Sequence, residues 1–336
     1  MTYNRKVLIL SIITATLALI YAGTFILAPE RLNSRSSAYT WLESKLAEQA
    51  GRIEISQGGE TLALVSRNAL WYVETDGKEY PAKQGRIADL LRLITSRGAY
   101  PLRGSAVSSQ ERLGVGEDAS HIVVRNGAGE APLLDLLVGG ADATGREVYL
   151  RKNGQNEVRS GENKFTAYLS PAPSAWYNLR LFPQEGTGAL SLDMVQRVSV
   201  AVPPASGEDA PVPPFLITKS GQGWAIEGVG VDEIDISKVD AYIRNIIDAE
   251  GDGFVTSMTV DEPVFNEGSV HIELGDGSTR TVKVGPFFLE GEGETGKRTA
   301  VVSGSPYVYT LAEWIMSRLF RDAAYFKKSE EINLGK

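Results

Sequence analysis

The chain has 336 residues, 43% of them hydrophobic and 23% charged, with a formal net charge of −8. That length suffices for about two domains with buried cores. The acidic balance, with no long Lys or Arg run, argues against sequence-independent nucleic-acid binding, which needs a basic face to displace counterions. The absence of cysteine rules out disulfides, thiolate nucleophiles, Cys-ligated metals and a lipid-modified N-terminal Cys. Thirty-five glycines and fifteen prolines among short Val/Ile/Leu runs point to a strand-rich protein with many turns.

Residues 1–6 form a short tail containing Arg5 and Lys6, and residues 7–28, VLILSIITATLALIYAGTFILA, carry no charge. As a helix this run spans roughly 30 Å, the thickness of a bilayer's hydrocarbon core. It is longer than the apolar core of a signal peptide, and Tyr21-Ala22-Gly23 lies inside it rather than after it. The expectation is a retained, single-pass transmembrane helix in the cytoplasmic membrane. Arg5 and Lys6 against Arg31 and Arg35 favour a cytoplasmic N-terminus and an extracytoplasmic C-terminal domain.

Residues 29–51 read as a juxtamembrane segment. Its helix, expected over 38–50, is capped by Ser36 or Ser37 and ended by Gly51, with Trp41, Leu42 and Leu46 resting on the membrane surface or on the module after it. A first module is expected over 52–188. It opens with strands at 52–56, 61–66 and 70–74, then the Asp76-Gly77 turn. A helix over 87–97 follows, with Ile87, Leu90, Leu91 and Ile94 on one face and Gly98 as its stop. Hairpins turn at Asn126-Gly127 and Asn153-Gly154. A short helix over 163–169 stops at Pro171 and Pro173, and residues 183–193 form the junction.

A second module, 189–326, repeats this order. Trp224 leads a strand as Trp71 does, and Val239, Tyr242, Ile243 and Ile246 repeat the helical stripe. Phe215 precedes Trp224 by the same interval that separates Leu62 from Trp71. The Pro-rich stretch 203–214 therefore reads as a long hairpin loop rather than a linker. Capping boxes are expected at Ser237/Asp240 and Thr310/Glu313, the latter opening a helix to Arg321. The GEGETGK stretch reads as a loop, and 327–336 as a flexible polar tail. The fold class is α+β, with an N-terminal transmembrane helix before two similar modules of mostly antiparallel sheet with packed helices.

Few residues invite chemistry. His121 and His271 each precede a hairpin turn by the same interval, but one histidine per module is a poor metal set. Residues 248–253, DAEGDG, imitate the start of a calcium loop, yet its twelfth position is Thr259 and Glu262 lies too far on. Trp71, Trp176, Trp224 and Trp314 suit strand and helix cores as well as sugar stacking. No nucleophile elbow, phosphate loop or zinc-protease motif is present. No catalytic, cofactor-binding or metal-ligating residue is assigned, and no cofactor is expected.

WYVETDGKEYPA (71–82) leading into IADLLRLI, LLVGGADATGREVYLRKNGQNEV (136–158) and SAWYNLRLF (174–182), behind one apolar N-terminal segment, resemble the bacterial domain-of-unknown-function family 4340. The resemblance covers mainly 52–183, with a fainter echo in the second half. It implies an accessory component of an ABC-type export system of the gliding-associated or a related type, partnered by a permease or another membrane-anchored subunit. The expected role is thus a non-catalytic, membrane-anchored interaction protein. An envelope protein binding a glycan or small ligand, and an extracytoplasmic hydrolase, are the alternatives.

Overall fold

The computed structural model describes residues 13–17, 39–42, 44–183, 188–204, 213–221, 223–262, 264–290 and 293–328. Two compact units emerge, Met1–Tyr177 and Asn178–Lys336, so the division falls at 177/178 rather than at 188/189. Of the anchor expected over 7–28, only 13–17 lie within the described residues, and these are helical. Among the described residues no helix is long and apolar enough to cross a membrane.

The first unit contains β1 (Arg52–Gln57), β2 (Glu60–Arg67), β3 (Leu70–Thr75) and β4 (Lys78–Pro81), then α1 (Gln84–Thr95), β5 (Leu102–Gly104) and α2 (Val107–Arg112). β6 (Ser120–Arg125), β7 (Leu134–Ala141), β8 (Glu147–Lys152) and β9 (Val158–Glu162) complete it. Their order across the sheet is β4-β3-β2-β1-β6-β7-β8-β9-β5, with antiparallel neighbours throughout.

In the second unit lie β10 (Val195–Ala201), β11 (Phe215–Ser220), β12 (Gly223–Ile226), α3 (Ile236–Ile247) and β13 (Gly253–Val255). They are followed by β14 (Gly268–Leu274), β15 (Thr279–Glu290), β16 (Gly293–Val302), β17 (Val308–Ala312) and α4 (Glu313–Leu319). The order β12-β11-β10-β14-β15-β16-β17-β13 is that of the first sheet. A 3-10 turn, Val231–Glu233, takes the place of β4. β10 pairs directly with β11, so the Pro-rich stretch between them connects a hairpin, as the repeat required.

Alternation makes each sheet two-faced. Ile53, Ile55, Leu62, Leu64 and Val73 are buried on the strands, and Ile87, Leu90, Leu91 and Ile94 on α1. In the second unit the same positions hold Val198, Val200, Phe215, Ile217 and Ile226, with Val239, Tyr242, Ile243 and Ile246 on α3, within one core. Each such side chain contributes about 1.5–3 kcal/mol of burial. A second, smaller core fills part of the opposite face. Val115, Leu137 and Val158 form it in the first unit, and Val255, Phe265 and Val308 in the second. Both lie under the excursion that follows β5 in the first unit and β13 in the second.

The duplication reaches into the connections. Residues 158–177 align with 308–327 without insertion, matching the buried Phe165, Leu169 and Trp176 to the buried Ile315, Leu319 and Phe326. Each closing segment bonds back to the residue before the helix: Lys83 N–H donates to Trp176 O at 2.8 Å, and Asp235 N–H to Phe326 O at 2.8 Å. Isolated bridges Ala82–Tyr177 and Ile234–Lys327 repeat the pattern. Lys327 and Lys328 are therefore pinned rather than free, Lys328 N–H donating to Glu233 O at 2.8 Å. Residues 329–336 of the expected tail lie outside the described residues.

Each module also opens with a strap. Gly98 N–H donates to Tyr39 O at 3.0 Å, and Gly251 N–H to Leu179 O at 2.7 Å. The helix expected over 38–50 is replaced in the first strap by an irregular path with one 3-10 turn, Leu46–Glu48. Leu42 and Leu46 are buried, and Trp41 packs on Tyr100 with Lys152 over its ring at 5.2 Å. Tertiary contacts outcompete the local helix here: Ser44 N–H donates to Thr95 O, and Lys152 Nζ to Trp41 O, bonds a regular helix would not offer.

Other local expectations shift for similar reasons. α1 begins at Gln84 and ends at Thr95, and the helix expected over 163–169 is the 3-10 turn Phe165–Tyr168. Asp235, not Ser237, caps α3, accepting from the N–H groups of Ser237 and Lys238, which frees Asp240 for the Trp224 indole. Thr310 is buried in β17 and does not cap α4, which ends at Leu319. Residues 293–297 of the GEGETGK stretch lie in β16, whose ladder with β15 pairs Leu289 with Glu294 and Phe287 with Arg298.

Glycine is required at one matched point in each sheet. The ladders shift register between Val138 and Ala141 and between Val284 and Phe287. A Cβ on Gly139 would stand 2.5 Å from Leu113 O, and one on Gly285 3.0 Å from Phe265 Cδ1 and 3.1 Å from Val264 O. Only a residue without a side chain lets the second-face excursion approach so closely.

Candidate functional site

The two histidines do not occupy equivalent places. His121 on β6 lies opposite Ser56 on β1, and His271 on β14 opposite Ser199 on β10. With the tryptophan-led strands superposed, Val123 rather than His121 matches His271, because Ile55–Leu62 and Val200–Phe215 are the corresponding pairs. His121 Nδ1 lies 3.9 Å from Asp135 Oδ1, and His271 Nδ1 lies 2.9 Å from the Thr281 hydroxyl. His271 is thus tied by a hydrogen bond to β15, whereas His121 only faces Asp135 on β7. Among the described residues no group of three or more His, Asp or Glu side chains converges as a metal site.

The calcium-like stretch is the end of α3 and the approach to β13. Asp248 is the C-cap residue, Arg180 lies 3.4 Å from Glu250, and Asp252 is paired with Lys297. Glu262 accepts from the Thr259 N–H at 2.8 Å, closing a local turn. Asp248 and Glu250 both face Arg180, while Asp252 and Glu262 turn to other partners, so the four carboxylates do not share one centre.

The tryptophans divide. Trp176 is fully buried, its indole N–H donating to Ser170 O at 2.9 Å, with the Arg86 guanidinium 4.5 Å from its ring centroid. Trp224 is buried and donates to Asp240 Oδ1 at 2.7 Å. Trp71 is half-buried. Trp314 is different: on α4 it is 56% exposed, with the Arg318 guanidinium 5.0 Å from its ring.

The displaced proton affinities belong to the fold. The Glu147 backbone N–H, with the Thr144 hydroxyl and the Arg146 N–H, holds the Asp142 carboxyl down at about 2. That carboxylate organises the turn in the GGADATGRE stretch. Burial, with smaller contributions from Tyr80 and Asp76, pushes the Tyr177 hydroxyl up to about 12. Tyr242 is raised further by burial and donates to Leu319 O at 2.6 Å, joining α3 to α4.

One concavity gathers exposed polar side chains, some of them ion-paired, beside the exposed indole of Trp314. It lies in the second unit between the end of α3 and α4, with a volume of about 170 Å³. Asn245, Asp248, Glu250, Trp314 and Arg318 line it over an Ile315 floor. A broader hollow of about 430 Å³ adjoins Trp224, but Asp240 and Lys219 there are engaged with Trp224 and Asp193 O. The sequence singled out Trp314, and Asp248 and Glu250 within a calcium-like stretch, but not their meeting with each other and with Arg318, because residues near 248 and near 318 come together only through the packing of the two helices.

Residues 47–266 match the profile of the family described as "Domain of unknown function (DUF4340)". The match spans the first module and continues through β13 of the second, wider than the motifs at 52–183 imply. No curated protein and no solved structure matches the chain.

Proposed function

The chain belongs to the family described as a domain of unknown function (DUF4340), and on that footing we propose that it is a membrane-anchored, extracytoplasmic interaction protein of an ABC-type transporter assembly, acting by contact rather than catalysis. The observation that carries this reading is the docking of the first strap. Tyr39, Trp41 and Leu42 are already fixed to the first module, through Gly98, Tyr100 and Lys152. Between them and the apolar run ending at Ala28 stand only residues 29–38. Fully extended, ten residues reach about 35 Å, so an anchored chain holds its first module close to the bilayer and to neighbouring membrane subunits. The wider support is chemical. His271, the carboxylates of 248–252 and two of the tryptophans have partners within their own modules, as scaffold residues do.

The test is gentle crosslinking in native membranes followed by detergent solubilisation and mass spectrometry of the purified chain. The expected result is co-purification with a permease or another anchored subunit, and retention in the membrane after alkaline carbonate washing. Recovery of the chain alone, or its release by carbonate, would overturn the proposal.

A further inference from the structure

We propose that the cleft between α3 and α4 of the second module binds an uncharged sugar ring, with Trp314 as the stacking platform. This rests on that module alone and stands apart from the transporter reading.

The duplication shows what the fold itself demands at this position. The gap-free match of 158–177 to 308–327 places Trp314 where the first module has Lys164, an exposed residue. The next position is core in both modules, Phe165 and Ile315. The module therefore closes without an aromatic at this point. An indole left 56% exposed forgoes burial energy that the same ring would gain elsewhere. Its presence at a cleft is accounted for by a ligand that covers it.

The chemistry around the ring selects the ligand. A pyranose presents a C–H face that packs on an aromatic plane and hydroxyls that both donate and accept. Asn245 offers an amide, Asp248 and Glu250 carboxylate acceptors, and Arg318 a guanidinium fork, all on the wall of the same cleft. Charge is balanced: Arg180 lies 4.0 Å from Asp248 and 3.4 Å from Glu250, and Arg318 sits over the indole. Two carboxylates against two guanidiniums favour a neutral ligand over a phosphate or a polyamine. A volume of about 170 Å³ suits one ring rather than a helix or strand. The rim is also pre-set by backbone bonds, Leu181 N–H to Ala249 O at 2.9 Å and Gly251 N–H to Leu179 O at 2.7 Å, which limits the ordering cost of binding.

The experiment uses the full chain in detergent, labelled with 5-fluorotryptophan so that its five tryptophans report separately by fluorine NMR. It is titrated with N-acetylglucosamine oligomers, maltotriose and cellotriose, and in separate arms with inorganic phosphate and spermidine. The expected result is a saturable shift of the Trp314 resonance with at least one sugar and not with phosphate or spermidine. Trp314→Lys, which installs the residue of the first module, is expected to weaken binding at least tenfold, read by calorimetry, with an unchanged far-UV spectrum. Saturation unaffected by Trp314→Lys, no response to any of the three sugar classes, or a response to phosphate or spermidine equal to that with sugar would overturn the proposal. So would a photo-crosslinker at 314 capturing a membrane protein in a chain that ignores all the sugars.

Discussion

The side-chain amide of Gln84 clasps the backbone of Trp71 from both sides. Its Oε1 accepts from Trp71 N–H at 2.9 Å, and its Nε2 donates to Trp71 O at 2.8 Å and to Ala82 O at 2.8 Å. The first residue of α1 thus serves as a strand neighbour for β3, at the point where the β4 ladder ends at Tyr72–Pro81. In the second module the corresponding first residue of α3 is Ile236, which has no hydrogen-bonding group to offer.

Gln84→Ala removes this partner from Trp71 N–H and Ala82 O, while Trp71 O keeps the Ala82 N–H at 3.1 Å, at a cost of about 1–3 kcal/mol. Urea unfolding is expected to show the loss, with faster amide exchange at Trp71. The same alanine at Ile236 is expected to leave the exchange of Trp224 within twofold of wild type.

Backbone geometry gives a pair of opposite predictions. Gly139→Ala sets a Cβ against Leu113 O and Gly114 O and is expected to lower the thermal midpoint clearly. Ala69 holds φ +66° in the two-residue turn between β2 and β3, a conformation that costs an L-residue roughly 1–2 kcal/mol. Ala69→Gly is expected to recover about 1 kcal/mol of that in urea unfolding.

The strap belongs to the module, and its removal should register as a core defect. Leu42 is 2% exposed. Leu42→Ala is expected to cost about 2–5 kcal/mol, as truncation in a core does. A chain whose unfolding midpoint is indifferent to this change would place the strap on the membrane instead.

Two groups give the stability a pH dependence at opposite ends of the range. Asp142 has a folded pKa of about 2, below its ordinary value of 3.8. Its contribution is present above the ordinary value and fades as pH falls toward about 2. Tyr177 runs the other way: raised from 10.0 to about 12, it supports the fold below pH 10 and loses that support as pH rises through about 12. Carboxyl carbon NMR should find Asp142 titrating well below the ordinary aspartate value, and ultraviolet difference spectra should show a tyrosine ionising late. Asp142→Ala is expected to remove the low-pH titration and loosen the 142–147 turn.

Much of the fold was legible because burial imposes periodicity. The stripes Ile87–Ile94 and Val239–Ile246 are the buried faces of α1 and α3, and the hairpin turns fall where Asn-Gly, Asp-Gly and the Leu62/Phe215 spacing indicated. The caps were less legible. Ser237, Thr310 and the segment 38–50 satisfy local rules, yet Asp235, the β17 ladder and the groups around Thr95 and Lys152 compete for the same bonds. Of the candidate cleft, Trp314, Asp248 and Glu250 could be named in advance, but neither their juxtaposition nor the exposure of Trp314 could.

Sequence alone determined that this is a doubled module with a long apolar run before it, since strand alternation, helical stripes and turn pairs are local properties of the chain. Tertiary structure decided which of two similar-looking groups is spent and which remains available: Trp224 against Asp240, Trp314 at the surface, His121 and His271 out of register. Those outcomes depend on distances between residues far apart in sequence, which no local pattern encodes.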